Sequence, residues 1–240
     1  MNKGFDNWLG QELPDVLCLQ EIKTQPEQID TSVFDRLGYR HYWFPAQKNG
    51  YSGVAILCRM KPDKVTYGMG MEPYDREGRI IRADFGDISI LSAYFPSGTM
   101  GGERQSFKMD FLKDFLLYIE KLRQERPNLI ISGDYNIAHT DIDINYPERH
   151  QQASGFLPEE REWLSGFLSK GYIDTFRMLN DTPNQYSWWS YRANAREKDL
   201  GWRIDYHIVS EPVRSIVNEA SILQDVYHSD HCPVTVSIDF

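Results

Sequence analysis

The sequence predicts a mixed α/β or α+β fold, in which amphipathic helices cover sheets of short strands. Short apolar runs alternate with amphipathic stretches along the whole chain. Three of the apolar runs end in polar clusters, which is where α/β proteins commonly place ligand sites. Hydrophobic residues make up 41% of the 240 residues, so the chain can bury a large core and is not expected to be disordered.

The individual elements follow from these patterns. The strand candidates are Val16–Gln20, Tyr39–Phe44, Gly53–Cys58, Arg79–Phe85, Ile88–Tyr94, Leu129–Ser132, Arg203–Val209 and Val234–Ile238, and the helix candidates are Pro26–Leu37, Glu103–Gln124 and Pro158–Ser169. The last helix has a well-formed start, because proline suits the first helical position and the two glutamates that follow favour the helix dipole.

Composition excludes several classes of protein. Cys18, Cys58 and Cys232 are far apart, each in an apolar run, and no CxxC pair exists, which predicts buried reduced thiols rather than a zinc site and suits the cytoplasm. No signal peptide or long apolar span is present, so no membrane association is expected. The net charge of −9 argues by itself against a nucleic-acid partner. However, acidic residues gathered around a metal can coexist with a local basic groove.

The three polar clusters contain candidate site residues. Glu21 follows the first apolar run, where it is either an ordinary solvated carboxylate or a ligand for a hard cation such as Mg²⁺. Asp134 and Asn136 follow the run that starts at Leu129, and in an extended segment their side chains would face the same side. An ordinary turn is the alternative, because Gly, Asp and Asn are common in turns. Tyr94 ends the third run.

Asp205 lies inside an apolar strand, and a buried carboxylate is costly unless it is paired. His231, which follows Asp230 just before the terminal apolar strand, would serve as the partner, and Asp205 would then fix its tautomer and favour its charged form. Pairing with Arg203 or another basic residue is the alternative. A Ser-His-Asp hydrolase is disfavoured because the sequence has no GxSxG nucleophile elbow.

A segment rich in tryptophan and basic residues suggests nucleotide binding. Its members are Trp188, Trp189, Arg192, Arg196, Lys198, Trp202 and Arg203. Aromatic and basic side chains in alternation suit an unstacked nucleotide and its flanking phosphates. Core tryptophans beside a solvated basic loop are the alternative.

Taken together, these segments resemble one family. The motifs are Leu19-Gln20-Glu21-Ile22-Lys23, Tyr94-Phe95-Pro96, Gly133-Asp134-Tyr135-Asn136, Trp202-Arg203-Ile204-Asp205-Tyr206 and Ser229-Asp230-His231-Cys232-Pro233. Their order and spacing are similar to those of exonuclease III-type apurinic/apyrimidinic (AP) endonucleases, within the endonuclease/exonuclease/phosphatase superfamily. Segments Gly50–Ala55, Glu77–Ile81 and Phe156–Arg161 resemble AP endonucleases more narrowly, and the match runs from about Leu13 to the C-terminus.

The resemblance implies a DNase I-like four-layer α/β-sandwich with two packed mixed sheets, formed as a single domain by residues 1–240. It implies Mg²⁺ or Mn²⁺ as cofactor, with Glu21 as principal ligand and Asp134, Asn136, Asp230 and His231 in or beside the metal and phosphate site. It also implies catalytic roles for Tyr94, Asp134, Asn136, Asp205 and His231. Asp134 would either activate water or protonate the leaving oxygen.

The implied substrate is double-stranded DNA with abasic sites, cut on the 5′ side of the lesion by a monomer, with 3′-phosphodiesterase and 3′→5′ exonuclease activity as further expectations. Trp188 and Trp202 would line the pocket for the flipped abasic sugar, and Arg192 would lie on the loop that holds the duplex open. Lys23, Tyr51 and Arg79 would contact the backbone. Phosphate contacts carry affinity without sequence information, so a lesion rather than a sequence would be recognised.

The start of the chain departs from the family pattern. Family members begin with a strand and an Asn-(Val/Ile)-(Asn/Asp)-Gly-(Ile/Leu)-Arg segment, whereas Met1-Asn2-Lys3-Gly4-Phe5 resembles the helix that follows it. The first strand is therefore expected to be missing, and neither Asn2 nor Asn7 is expected to replace its asparagine. Two other functions stay open: a catalytically inactive, truncated DNA-binding module, and another phosphoesterase of the same superfamily.

Overall fold

The computed structural model describes residues 4–239, so Asn2 lies outside the described residues. The chain forms two compact units. Unit 1 comprises the chain up to Tyr94 together with Leu129–Gly133, and unit 2 comprises Phe95–Asn128 and the chain from Asp134 onward.

Unit 1 contains two sheets and three helices. Its elements are α1 (Phe5–Glu12), β1 (Val16–Gln20), a 3₁₀ turn (Pro26–Gln28), α2 (Ser32–Arg36), β2 (Arg40–Phe44), β3 (Val54–Cys58), β4 (Lys64–Tyr67), α3 (Glu72–Asp75), β5 (Ile80–Phe85), β6 (Ile88–Tyr94) and most of β7 (Asn128–Asp134). One sheet has the order β1-β3-β2, with β3 antiparallel to both neighbours, and in the other the strands run in the order β4-β5-β6-β7.

The central strand β3 explains how these layers pack. All five of its residues are buried, because successive side chains point to opposite faces and both faces are covered. Val54, Ile56 and Cys58 pack against β5 of the second sheet. Ala55 and Leu57, on the other face, pack against the α1 and α2 side chains. Helices, first sheet and second sheet therefore form three successive layers within unit 1.

Unit 2 surrounds a long helix and contains three short antiparallel strand pairs. Its elements are α4 (Gly102–Glu125), a 3₁₀ turn (Asp141–Asp143), α5 (Pro147–His150), α6 (Pro158–Leu168), β8 (Tyr172–Asp174), α7 (Thr175–Leu179), β9 (Trp188–Trp189), a 3₁₀ turn (Arg192–Asn194), β10 (Gly201–Trp202), β11 (Asp205–Ser210), a 3₁₀ turn (Glu211–Ile216), β12 (Val217–Ile222) and β13 (Val234–Ile238). The pairs are β8 with β11, β9 with β10, and β12 with β13.

The core of unit 2 is aromatic. Phe95 stacks on Tyr135 with ring centroids 4.1 Å apart, and its ring meets Phe111 and Phe115 of α4 edge-on. The buried α4 side chains recur at helical spacing, which gives the helix one apolar face. This packing fixes the segment after Tyr94 and the turn after β7, and the turn carries the candidate site residue Asn136.

The structure corrects one predicted helix and adds strands that the sequence did not indicate. Pro26–Leu37 is not one helix, because Ile29 is extended and the Asp30 carboxylate accepts bonds from the backbone N–H and the hydroxyl of Ser32. The predicted helices Glu103–Gln124 and Pro158–Ser169 are confirmed to within one residue at each end. The strands β4, β8 and β12 were not predicted, since they are short or carry polar residues at exposed positions.

Cys58 and Cys232 are buried, as predicted, whereas Cys18 is partly buried. All three cysteines are free, and burial raises the pKa of Cys58 to about 11. None of the helices within residues 4–239 combines the length and the apolar character that a membrane crossing requires.

Candidate active site

The first part of the candidate site is a tight turn after β7, in unit 2. Asn136 has φ 52, so the chain turns at this residue instead of continuing as the extended segment considered above. Asparagine tolerates this left-handed conformation better than most residues. The two side chains meet nonetheless: the Asp134 carboxylate accepts the Asn136 backbone N–H at 2.8 Å and its side-chain amide at 3.2 Å. The same amide also donates to the Phe95 carbonyl at 3.0 Å.

The second part is the predicted pair of Asp205 and His231. Nδ1 of His231 lies 2.9 Å from Oδ2 of Asp205, whose side chain is 10% exposed. Burial alone would lower the pKa of His231, but the Asp205 carboxylate outweighs it and raises the pKa to about 10. The imidazole therefore carries its proton at neutral pH, with Nε2 on the side away from Asp205.

Ser187 supports this pair and was not singled out from the sequence. Its hydroxyl donates to Oδ2 of Asp205 at 2.6 Å and accepts the backbone N–H groups of Ile204 and Asp205. Ser187 is fully buried. A small polar residue in the aromatic segment Tyr186–Trp189 was the available signal, since a buried hydroxyl requires partners.

The Asp230 side chain bonds to Trp188, whereas its neighbour His231 bonds to Asp205. The chain turns here because the Ser229 hydroxyl accepts the His231 N–H at 2.9 Å. Oδ2 of Asp230 accepts the indole N–H of Trp188 at 3.1 Å, and its backbone carbonyl accepts the N–H of Trp189. Strand β9 thus holds the turn that carries both candidate residues.

Asp134, Asp205 and His231 converge. One ligand atom from each lies within 4.8 Å of the others, a spacing that could hold a metal ion. Asp205 and His231 already share a hydrogen bond, however. The cluster therefore places the Asp134 carboxylate beside an organised acid–base pair.

Two tryptophans form an aromatic wall near this cluster. Trp188 and Trp202 face each other in the β9–β10 pair, with ring centroids 6.1 Å apart and planes at 88°. The His150 ring, which the sequence did not indicate, meets Trp202 edge-on at 5.0 Å. Phe156 lies on the same side.

The basic segment after this wall divides into two groups. Arg192 and Lys198 are exposed, and the Lys198 ammonium donates to the Ala193 carbonyl at 2.8 Å. Arg196 instead lies over the rings of Trp189 and Tyr227. Arg203 is 1% exposed and pairs with two buried carboxylates of unit 2, not with Asp205.

Those two carboxylates are Asp143 and Asp174, each 2.7 Å from the Arg203 guanidinium. Asp143 also accepts a second arginine, Arg177, at 2.7 Å. Burial would raise the pKa of Asp143, but the two arginines outweigh it and lower the pKa to about 2. This network fixes the residue that precedes Ile204 and Asp205.

Unit 1 carries the remaining predicted residues. Glu21 follows β1 with φ 52, and its carboxylate lies 2.8 Å from the Lys23 ammonium. The side chains are 37% and 54% exposed, respectively. The backbone N–H groups of Ile22 and Lys23 donate to the carbonyls of Gly53 and Ser52, which holds this exposed turn in place.

Arg79, Tyr51 and Tyr94 form a second group in unit 1. The Arg79 guanidinium lies over the Tyr94 ring at 4.6 Å and donates to the Tyr51 hydroxyl at 3.2 Å. Glu77, which was not predicted, accepts two bonds from the same guanidinium. Arg79 is only 2% exposed. In this geometry it orients the two tyrosines, and its direct contact with DNA stays a prediction.

Comparisons with known proteins are consistent with this arrangement. The profile of the endonuclease/exonuclease/phosphatase family matches residues 2–237. An exodeoxyribonuclease of Bacillus subtilis is 42% identical over 98% of this chain and 92% of its own length. The DNA repair nuclease APEX1 of Danio rerio is 39% identical over 97% of this chain and 76% of its own.

Solved structures agree with these relatives. An AP endonuclease from Archaeoglobus fulgidus superposes with a TM-score of 0.89 at 29% identity, covering 98% of this chain and 93% of that one. The 3′ phosphatase NExo from Neisseria, bound to a product DNA hairpin, superposes with a TM-score of 0.91 at 26% identity, with the same coverage. The predicted α/β-sandwich fold class is thereby confirmed.

Proposed function

The chain belongs to the endonuclease/exonuclease/phosphatase family, and from this premise we propose that it cleaves the DNA backbone on the 5′ side of abasic sites. It is a DNA repair hydrolase of the exodeoxyribonuclease III and AP endonuclease group. We include 3′-phosphodiesterase and 3′→5′ exonuclease activity in the proposal. The observation that carries it is the convergence of Asp134 with the hydrogen-bonded pair of Asp205 and His231.

The family depends on a divalent metal, and Asp134, Asp205 and His231 of unit 2 have the spacing to hold one. Carboxylate and amide oxygens are the ligands that hard cations such as Mg²⁺ and Mn²⁺ prefer. In unit 1, Glu21 is the proposed principal ligand, since its oxygens are partly exposed. In unit 2 the proposed residues in or beside the metal and phosphate site are Asp134, Asn136, Asp230 and His231. A bound metal supplies charge relief to the phosphoryl oxygens and the leaving 3′ oxygen.

The protein's own groups provide the rest of the chemistry. His231 is held by Asp205 through Nδ1, so Nε2–H can donate to a phosphoryl oxygen as negative charge develops there. The Tyr94 hydroxyl is the proposed further donor, and Asn136, whose amide N–H groups donate to Asp134 and Phe95, is the proposed residue that orients Asp134. Asp134 either takes the proton of the attacking water or gives one to the leaving oxygen, and both roles suit its place beside Asn136.

The aromatic wall is the proposed pocket for the extruded abasic sugar. Trp188 and Trp202 present ring faces and edges at right angles, and a sugar without a base has only apolar and hydroxyl surface to offer. Arg192 on the exposed loop is the proposed duplex contact. The other proposed backbone contacts are Lys23, Tyr51 and Arg79. Such phosphate contacts would give salt-dependent binding that is independent of sequence.

A duplex with a single tetrahydrofuran abasic analogue tests the proposal. We expect Mg²⁺-dependent cutting 5′ of the analogue, abolition by EDTA, and far slower cutting of the intact duplex. Binding without any cutting in Mg²⁺ or Mn²⁺ would favour the inactive DNA-binding module. Hydrolysis of inositol phosphates in preference to abasic DNA would favour another phosphoesterase of the family.

A single domain and a monomeric state are part of the proposal. One cooperative unfolding transition followed by two probes, one in each unit, would support the single domain. Sedimentation at the concentrations of the cutting assay measures the oligomeric state.

A further inference from the structure

Lys108 is a fully buried lysine on the apolar face of α4, within unit 2. Its ammonium donates to Oε1 of Glu160 at 2.6 Å and to the backbone carbonyl of Asn136 at 2.8 Å. Both ionic side chains are 0% exposed. Lys108 therefore cannot touch DNA or solvent, and its hydrogen bond to the candidate site is the one to this carbonyl.

The Glu160 carboxylate also accepts several hydrogen bonds. Its Oε2 accepts the backbone N–H groups of Gly155 at 2.6 Å and Leu157 at 3.1 Å, which anchors the start of α6. Its Oε1 also accepts the side-chain amide of Gln105 at 3.0 Å. The carboxylate has four donors besides its weaker contact with Ser154, so it forms a rigid base for the ammonium.

Stability alone does not explain such a pair. Removing both charges from water costs several kcal/mol for each ion, and well-packed apolar residues of the same volume are often as stabilising. Burial indeed lowers the pKa of Lys108, and the Glu160 carboxylate opposes this effect. A more specific consequence of the pair is the position that it gives to Asn136.

The backbone N–H, the backbone carbonyl and the side-chain NH2 group of Asn136 are each held by neighbours in unit 2. Its backbone N–H and side-chain amide bind Asp134, the amide also binds Phe95, and its carbonyl binds Lys108. Three of these contacts are made with Asp134 and Phe95. The bond from Lys108 alone ties the turn to α4 and, through Glu160, to α6.

We propose that the buried Lys108–Glu160 pair positions the Asn136 amide for phosphodiester cleavage. Lys108 is thus a positioning residue that acts through Asn136 and does not touch the substrate. Without its ammonium the Asn136 carbonyl is left buried and unpaired, and the left-handed turn can relax away from Asp134. The inference rests on the proposed function, because Asn136 is assigned there to the metal and phosphate site beside Asp134.

Lys108→Met, Lys108→Arg and Glu160→Gln test this role in the full chain. We expect Lys108→Met to lower kcat on tetrahydrofuran duplex by about 10²-fold, because misplacing a reacting group by ~1 Å has an effect of this size. KM should stay within about twofold, since no DNA contact is lost. Lys108→Arg, which keeps a cationic donor, should recover most of kcat. The nitrogen-15 signals of the Asn136 amide should move in Lys108→Met and return in Lys108→Arg.

Phe167→Leu is the matched control, because Phe167 is fully buried in α6 and makes no contact with Lys108. It should lower the melting temperature while leaving kcat and the Asn136 signals close to those of the wild type. Equal loss of kcat in Phe167→Leu and Lys108→Met would overturn the inference, as would wild-type kcat in Lys108→Met. If Lys108→Met does not fold, Glu160→Gln replaces it with the same expected pattern. A wild-type chain that fails to cut abasic duplex would instead refute the proposed function.

Discussion

The hydrogen bond between Asp205 and His231 should be a single catalytic unit, and this can be measured with a double-mutant cycle. Asp205→Asn keeps the shape of the side chain but places an amide where the imidazole N–H needs an acceptor. His231→Asn removes the ring from the other end of the same 2.9 Å bond. Both substitutions break the same interaction, so they should not act independently.

The expected loss of rate follows from the role of this hydrogen bond. A buried, charge-assisted hydrogen bond that orients a catalytic imidazole typically accounts for about 10³- to 10⁴-fold in rate. Each single variant is therefore expected to lower kcat/KM by about 10³-fold, which corresponds to roughly 4 kcal/mol. Independent effects would multiply to about 10⁶-fold in the double variant, whereas a shared bond predicts little more than the loss of either single variant.

Single-turnover cutting of the tetrahydrofuran duplex at saturating Mg²⁺ provides the rates, because it reports the chemical step without product release. Ser187→Ala is the control, since it removes a 2.6 Å bond to the same Asp205 oxygen but leaves His231 in place. It should cost about ten- to a hundredfold, in line with one hydrogen bond to a charged group. Losses that multiply in the double variant would refute the idea that Asp205 acts through His231.

Three further predictions concern metal binding, acid stability and the aromatic wall. Glu21→Gln should raise the Mg²⁺ concentration for half-maximal cutting, because an amide is a poorer ligand for a hard cation; an unchanged Mg²⁺ titration would contradict the assignment. The folded pKa of Asp143 is lowered from 3.8 to about 2, so this carboxylate contributes about 2 kcal/mol at neutral pH that is lost as the pH falls from 3.8 through 2. In Asp143→Asn, the free energy of unfolding measured in urea should change less between pH 3.8 and pH 2 than in the wild type. An unchanged pH dependence would contradict the pairing. Trp188→Phe keeps an aromatic ring but removes the hydrogen bond to Asp230. Mn²⁺ binding, measured by electron paramagnetic resonance, should therefore weaken. The affinity for abasic duplex in EDTA should stay within about threefold of the wild type.

Some site residues could be predicted because their signal is local. Glu21, Asp134 and Asn136 each follow an apolar run that becomes a strand. Asp205 stood out as a carboxylate within an apolar strand, where burial requires a partner. The partner itself, His231, is 26 positions away, and it was proposed because an imidazole can pair with a buried carboxylate, not from any periodicity.

Other residues depend on contacts that no local pattern contains. Glu160 lies 52 positions from Lys108, and Ser187 lies 18 positions from Asp205. Lys108 did give one signal, since it precedes Phe111 and Leu112 by three and four positions and therefore falls on the apolar face of its helix. A lysine in that position predicts a buried partner but does not identify it.

Errors in the fold have a similar origin. The 3₁₀ turn at Pro26 and the short helix α2 were predicted as one helix, because the amphipathic pattern is continuous across them. The break is decided by one side chain, Asp30, whose carboxylate captures the N–H and the hydroxyl of Ser32. Competition between such a local bond and the helical one depends on geometry that periodicity does not express.

The left-handed backbone at several non-glycine residues has a consequence for the evolution of this enzyme. Glu21, Lys23, Asn136, Ala193 and Asn194 all have φ between 51 and 58, and such residues typically cost of order 1 kcal/mol each relative to glycine. Selection for thermal tolerance alone would therefore favour glycine at these positions. At Ala193 and Asn194 glycine would loosen the loop that carries Arg192, and at Glu21 and Asn136 it would remove the functional group itself. Glycine substitutions intended to raise the melting temperature of this chain should therefore avoid Glu21, Asn136 and the loop that carries Arg192.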